Sequence, residues 1–270
     1  RWWPILRVAA GYHEPLGIKN MNKKPKIGFI SAPAWFDPAP SEFPTVVEES
    51  VLTQQAPLLL PEFDYQLETI ATTQNELNLC ARSLKAIGCD LIAQVGSPFA
   101  WACVQSEAEA RYRNESIINA AEIPALMTSL AMVDALRALG VSKVAVNCTY
   151  YDNIWRDGFS YFMNICGFEV VHVSSLSDQG VASPETKIED FGWSMTNELT
   201  SNSIISSAEA ASNAEAIVVT GAGARTLDII SELETKTKRP IVAADTALYW
   251  AIARELGLTL KPNIGILSNV

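Results

Sequence analysis

Histidine is nearly missing from this chain: its 270 residues include only His13 and His172. Neither has an acidic neighbour at a spacing that builds a catalytic dyad or ligand set, so His172 reads as a structural residue in a strand. The five cysteines (Cys80, Cys89, Cys103, Cys148, Cys166) are odd in number and contain no CxxC pair. That excludes a disulfide framework and a zinc ribbon and fits a cytoplasmic location. Basic residues are scarce, 20 Lys and Arg against 30 Asp and Glu, for a net charge of −10. A nucleic-acid partner is excluded, because phosphate binding needs a concentrated basic face. No stretch reaches the roughly 18 to 20 apolar residues of a membrane span, so no membrane partner is expected. The nucleophile elbow and the P-loop are absent, and Gly221-Ala222-Gly223-Ala224-Arg225 lacks the third glycine of a dinucleotide loop.

What is there is a globular chain, 49% apolar, long enough for one large domain or two ordinary ones. Residues 1–24 read as a leader or tag-like extension, with Met21 before Asn22-Lys23-Lys24 resembling a natural start. Beyond them, short apolar runs alternate with segments of helical periodicity. Strands are predicted at Ile27–Ile30, Asp90–Val95, Lys143–Val146, Phe168–Val173, Ala216–Val219 and Pro240–Ala243. Helices are predicted over Asn75–Ile87, Ser129–Leu139, Ile154–Ile165, Ser201–Ala211, Leu227–Lys236 and Ala247–Leu256, and residues 31–44 read as a proline-rich loop. The alternation predicts an α/β fold with mostly parallel sheets flanked by helices. A strand followed by Gly96-Ser97 and a strand followed by Gly221-Ala222-Gly223 suggest an internal duplication: two pseudo-symmetric lobes with a ligand site in the cleft between them. The first lobe is assigned to 25–127 plus 247–270 and the second to 128–246. Ligands of open parallel sheets bind beyond the carboxyl ends of the strands, which places both glycine loops at the site.

Several segments carry a family resemblance. Ile123-Pro124-Ala125-Leu126-Met127-Thr128-Ser129, continuing through Val133 to Val141, is similar to the aspartate/glutamate racemase superfamily, in its branch of maleate cis-trans isomerases and arylmalonate decarboxylases. Cys148-Thr149-Tyr150-Tyr151-Asp152, Arg225-Thr226-Leu227-Asp228 and Ile27-Gly28-Phe29-Ile30 through Pro33 agree with it, and the resemblance extends over about residues 26–268. It implies chemistry in the interlobe cleft with no metal and no organic cofactor. The family's two catalytic cysteines align with Gly96 and Gly221, so the resemblance implies that both thiols are replaced by glycine and that a two-cysteine proton relay is excluded. Cys148 or Cys103 is left as a candidate displaced thiol, against the plainer reading of a small buried apolar residue.

The candidate site residues follow. Glycine loops can turn backbone N–H groups toward an anion, which puts Gly96, Ser97, Gly221, Ala222 and Gly223 at the site, although Pro98 offers no N–H. The resemblance gives Tyr150 the role of hydrogen-bonding a substrate carboxylate, with Tyr151 beside it. Pro33 and Trp35 belong to a loop that contacts substrate in the family. Asp245 has two readings, a general base if desolvation raises its pKa, or a cap for a helix starting at Thr246 or Ala247. Ser97 is a second candidate for moving a proton. The leading expectation is a cofactor-independent lyase, decarboxylase or isomerase acting on a small carboxylate or dicarboxylate. The alternatives are a non-catalytic carboxylate-binding homologue and a hydrolase or eliminating lyase with Asp245 as base. The expected partner is a small anionic substrate, and a homo-oligomer is possible.

Overall fold

The computed structural model describes residues 24–33, 36–60, 63–191 and 195–270. All of the expected leader except Lys24 lies outside the described residues, as does Trp35. The first sheet holds β1 (Lys26–Ser31), β2 (Leu52–Pro57), β3 (Leu91–Gln94) and β4 (Ala125–Met127) in the order β2-β1-β3-β4. The second holds β5 (Lys143–Asn147), β6 (Glu169–Ser174), β7 (Ala216–Val219) and β8 (Ile241–Ala243) in the order β6-β5-β7-β8. Every pairing is parallel, and the topology is the same in both sheets. The α/β fold with two parallel, helix-flanked sheets is as predicted. β3 and β7 are buried along their whole length, as expected of central strands covered on both faces.

Helices α1 (Ala39–Val46), α2 (Leu67–Ala71), α3 (Gln74–Ala86), α4 (Pro98–Trp101) and α5 (Glu107–Ala121) accompany the first sheet. Helices α7 (Asn153–Ile165), α8 (Ile188–Phe191), α9 (Asn197–Ala210) and α10 (Ile230–Thr237) accompany the second. Between the sheets run α6 (Thr128–Ala138) and α11 (Ala244–Leu256), which follow β4 and β8 without a loop. They pack on each other, and each also touches the inner edge strand of the other sheet. Their sequences explain the position: α6 is buried at eight positions and α11 at ten, including the whole run Ala244–Ala253. Helices buried this far round turn little more than their C-terminal ends, Arg137–Ala138 and Arg254–Glu255, to water.

Seven elements are absent from the sequence reading, α1, β2, α2, α4, α5, β4 and α8, and three of them show why. The proline-rich stretch contains helix α1, because Pro40 sits in the first turn, where its missing N–H costs nothing, and Phe43 and Val46 are drawn into the core. β2, with the polar sequence LTQQAP, escapes an apolar-run criterion, yet it pairs with β1 from Lys26↔Leu52 to Ser31↔Pro57. α5 has weak amphipathicity but a capping box: Ser106 Oγ accepts from the Glu109 N–H, and the Glu109 carboxylate accepts from the Gln105 N–H. The last helix begins at Ala244 rather than Thr246 or Ala247, so Asp245 lies in its first turn and is not its N-cap.

The two halves also meet where α7 crosses α4. A Cβ at Gly158 would come within 2.8 Å of Trp101 Cζ3 and 3.3 Å of Leu67 Cδ1. Gly158→Ala is therefore expected to destabilise the fold by about 1–3 kcal/mol through overpacking, measured as a lower midpoint in urea unfolding with an unchanged slope.

Candidate active site

The two glycine loops occupy equivalent places, each glycine standing two residues beyond the end of its central strand. Gly96 follows β3 with φ +106°, and Gly221 follows β7 with φ +109°. Side chains avoid this backbone region, and the space beside each glycine is also filled. A Cβ at Gly96 would lie 3.0 Å from the Phe99 ring, and one at Gly221 would lie 2.9 Å from Tyr150 Cε1 and 3.0 Å from Thr149 Oγ1. The Gln94 side-chain amide braces the first loop by donating to the carbonyl oxygens of Val95 and, at 3.1 Å, Gly96.

A cavity of about 40 Å³ opens between the sheets at this point. Pro33, Gly96, Ser97, Tyr150, Tyr151 and Ala222 line it, so six of the residues expected at the site are brought together. Phe63, Tyr65, Phe99, Trp155 and Ile188 complete most of the wall and were not anticipated as site residues. The aromatic pair in Pro61-Glu62-Phe63-Asp64-Tyr65 was the available signal. Trp155 Nε1 donates to the Tyr65 carbonyl at 2.9 Å, tying that loop to α7. Phe36 is exposed and does not join the wall.

Gly221 itself lies beneath the Tyr150 ring, outside the cavity lining. Tyr150 is held there by Thr149, which adopts a positive φ of 40° and donates from Oγ1 to the Thr220 carbonyl at 2.9 Å. The Tyr150 hydroxyl accepts from the Gly223 N–H at 3.1 Å, which leaves its own proton to give. Burial pushes the Tyr150 phenol up from 10.0 to about 12, with Asp37 adding to the rise against the Gly223 bond and Arg225, so the group is protonated at neutral pH. Tyr151 is raised well above its ordinary value by burial first and then by Tyr150.

Ser97 joins the two loops. Its Oγ accepts from Trp101 Nε1 at 2.9 Å and from Thr220 Oγ1 at 2.8 Å, and Ser129 Oγ lies 2.9 Å away. Thr220 is in turn 3.1 Å from the Tyr151 hydroxyl. Ser97, Ser129 and Thr220 are all buried.

Asp245 is placed elsewhere. Its carboxylate accepts from the Thr226 N–H and Oγ1, both at 2.7 Å, and from the Thr246 N–H at 2.9 Å. It lines a separate recess of about 10 Å³ with Arg225 and Tyr249, behind Ala222. Arg225 bonds Glu42 and donates to Tyr249 Oη at 2.6 Å and the Ala222 carbonyl at 3.2 Å. Burial opposes its charge, but Tyr249, Asp245 and Glu42 hold its pKa above the ordinary value. Cys148 is buried with its thiol pushed well up by desolvation, and Cys103 is exposed; neither lines the cavity. Among the described residues no group of three or more His, Cys, Asp or Glu is placed to hold a metal ion. No helix among them is long and apolar enough to cross a membrane.

The profile of the arylmalonate decarboxylase family matches residues 27–265. The chain belongs to that family. Among solved structures, a liganded double mutant of arylmalonate decarboxylase superposes with a TM-score of 0.75 at 22% identity, covering 90% of this chain and 98% of its own. The maleate isomerase Iso from Pseudomonas putida gives 0.70 at 20% identity, covering 91% and 98%. A mutant of the maleate cis-trans isomerase from Nocardia farcinica, carrying a covalently bound succinylcysteine intermediate, gives 0.74 at 16%, covering 91% and 98%. Comparison with curated proteins finds no match. In this arylmalonate decarboxylase family member the fold favours the neutral Tyr150 phenol. Its stabilisation is complete below about pH 10 and is lost as pH rises toward about 12. Alkaline unfolding of Tyr150→Phe is expected to show a shallower loss of stability over that window than the unaltered protein, read by circular dichroism.

Proposed function

We propose that this protein is a decarboxylase or isomerase of a small carboxylate that needs no cofactor, with the anion held between the Gly96 and Gly221 loops. The observation that carries the reading is Tyr150: its oxygen takes the Gly223 N–H, and its proton is free to be donated in a cavity whose other walls are mostly apolar. Buried donors in such surroundings bind a developing oxyanion more strongly than water-exposed ones do. The resemblance aligns Gly96 and Gly221 with the family's two thiols, and neither position has space for a side chain. Phenol and serine hydroxyls then replace thiols as the proton-bearing groups of the cleft.

In the decarboxylase form, the C–C bond to the departing carboxylate breaks and its electron pair spreads onto the oxygens of the retained carboxylate. Tyr150 and Ser97 donate to those oxygens. The carbon then takes a proton from Tyr150, which is reprotonated from solvent, so that one proton is consumed for each carbon dioxide released. Asp245 has no proton-moving part in this reading, because its oxygens hold Thr226 and the start of α11.

The test is a panel of small carboxylates beginning with an arylmalonate and maleate, assayed for carbon dioxide release and for exchange of the α-proton with deuterated solvent. Turnover is expected, and Tyr150→Phe is expected to lower kcat/KM by about 10²–10³-fold. Full activity in that variant would remove Tyr150 from the chemistry. Ligand-induced thermal stabilisation without turnover across the panel would instead identify a carboxylate-binding homologue.

A further inference from the structure

Six residues of the cavity wall are aromatic: Phe63, Tyr65, Phe99, Tyr150, Tyr151 and Trp155. Their rings stand in crossed planes. Tyr150 and Tyr151 meet at 80° with centroids 5.5 Å apart, Tyr151 and Trp155 at 78° and 5.1 Å, and Phe63 and Tyr65 at 57° and 4.5 Å. A flat ligand can lie against one such plane at a time, whereas a compact, rounded group can touch several. The wall is also fixed before any ligand arrives. Asp152 caps α7 by accepting from the Trp155 N–H at 2.9 Å, and Trp155 Nε1 holds the Tyr65 carbonyl. None of the described residues lining the cavity is Lys, Arg or His. The charges that reach the wall are chiefly carboxylates. Burial first, and then Glu189 beside Ile188 of the wall, pushes the Tyr65 phenol up; Lys187 comes no nearer to Glu189 than 4.0 Å and is mostly exposed. Beyond burial and the Gly223 bond, Asp37 raises Tyr150 in the same sense, and the opposing Arg225 is paired with Glu42.

We propose that the aromatic wall is a cation site, so that the substrate class of the cleft is a small zwitterion, a carboxylate joined by a short chain to a quaternary ammonium or similar onium group. Its carboxylate half rests on the reading of the cleft as a carboxylate site; its onium half rests on the wall. A lone carboxylate buried here would meet no basic side chain, and an unpaired buried charge is strongly unfavourable. A substrate that brings its own positive charge enters neutral overall. Ring faces attract cations through their quadrupole, and a cage of several rings is the usual way that proteins hold a quaternary ammonium. Such a group suits crossed walls by its round shape, and Glu189 and Asp37 add to the field that favours it. Phe63, Tyr65 and Trp155 face the onium group in this arrangement, while Tyr150 takes the carboxylate.

The probes are two isosteric pairs: betaine and choline, each against the carbon analogue in which tert-butyl replaces trimethylammonium. Members of a pair share shape and differ in charge. Dissociation constants for the full chain are measured by calorimetry at high salt, which screens the net charge of −10. Betaine is expected to bind about tenfold more tightly than its carbon analogue, and choline likewise. Tyr65→Leu keeps the wall apolar but removes a ring, and it is expected to bring each pair close to parity by weakening the cation alone. A collapsed cleft would weaken both members together and leave their ratio unchanged. Phe63→Leu gives the same readout should Tyr65→Leu fail to fold. Equal binding within both pairs overturns the cation site and leaves the carboxylate reading standing. A preference for choline over its analogue, with betaine binding no more tightly than choline, overturns the carboxylate half and leaves the cation site. Binding of none of the four probes, or a preference that survives both substitutions, overturns the proposal.

Discussion

Two parallel sheets built to the same strand order do not by themselves make a cleft; something must hold their carboxyl ends facing one another. Here it is the contact between α6 and α11, each running straight out of the inner edge strand of its own sheet and lying against the other's. Most side chains of these helices are buried, eight of 11 in α6 and ten of 13 in α11, so the pair cannot separate without exposing a continuous apolar surface, at roughly 25 cal/mol per Å². With that seam fixed, the ends of β3 and β7 are fixed too. Gly96 and Ala222 of the second loop then line one cavity, and Ser97 Oγ comes within 2.8 Å of Thr220 Oγ1.

Equal topology does not give equal loops. Gly96 opens onto the cavity, whereas Gly221 is roofed by the ring of Tyr150. The difference traces to Thr149, whose left-handed backbone turns the next residue back across the second loop. Strain of this kind persists where the surroundings over-determine it, and Thr149 is held by the Thr220 carbonyl, the Asn147 side chain and the Leu176 N–H. The cleft is therefore polar on the Tyr150 side and along the Ser97 line, and apolar over most of the rest.

Strands such as Leu91–Gln94 were legible because a short apolar run between glycines, here Gly88 and Gly96, has few other readings. The parallel sheets followed from their alternation with helices. α1 was hidden by its prolines, β2 by its glutamines and threonine, and α5 by a mixed surface that only its capping box betrays. Within the site, the residues that a family pattern marks (Tyr150, Ser97, Ala222) do meet. What the sequence could not carry is which polar group faces which, since Ser97 and Thr220 are 123 positions apart and Glu42 and Arg225 are 183 apart. Asp245 is the instructive case: a carboxylate at a strand-to-helix junction has the same signature whether it meets substrate or Thr226, and only the fold tells them apart.

The seam also sets the order in which the molecule can be completed during synthesis. The first sheet is whole once β4 has left the ribosome, yet α11, which covers part of it, is made more than a hundred residues later. Leu260 pairs with Val47 and the Lys261 N–H reaches the Val46 carbonyl, so the last turns of the chain close on one of its earliest helices. A nascent chain must hold a finished but half-covered sheet in water until its final helix arrives, and exposed surface of that kind is what chaperones bind.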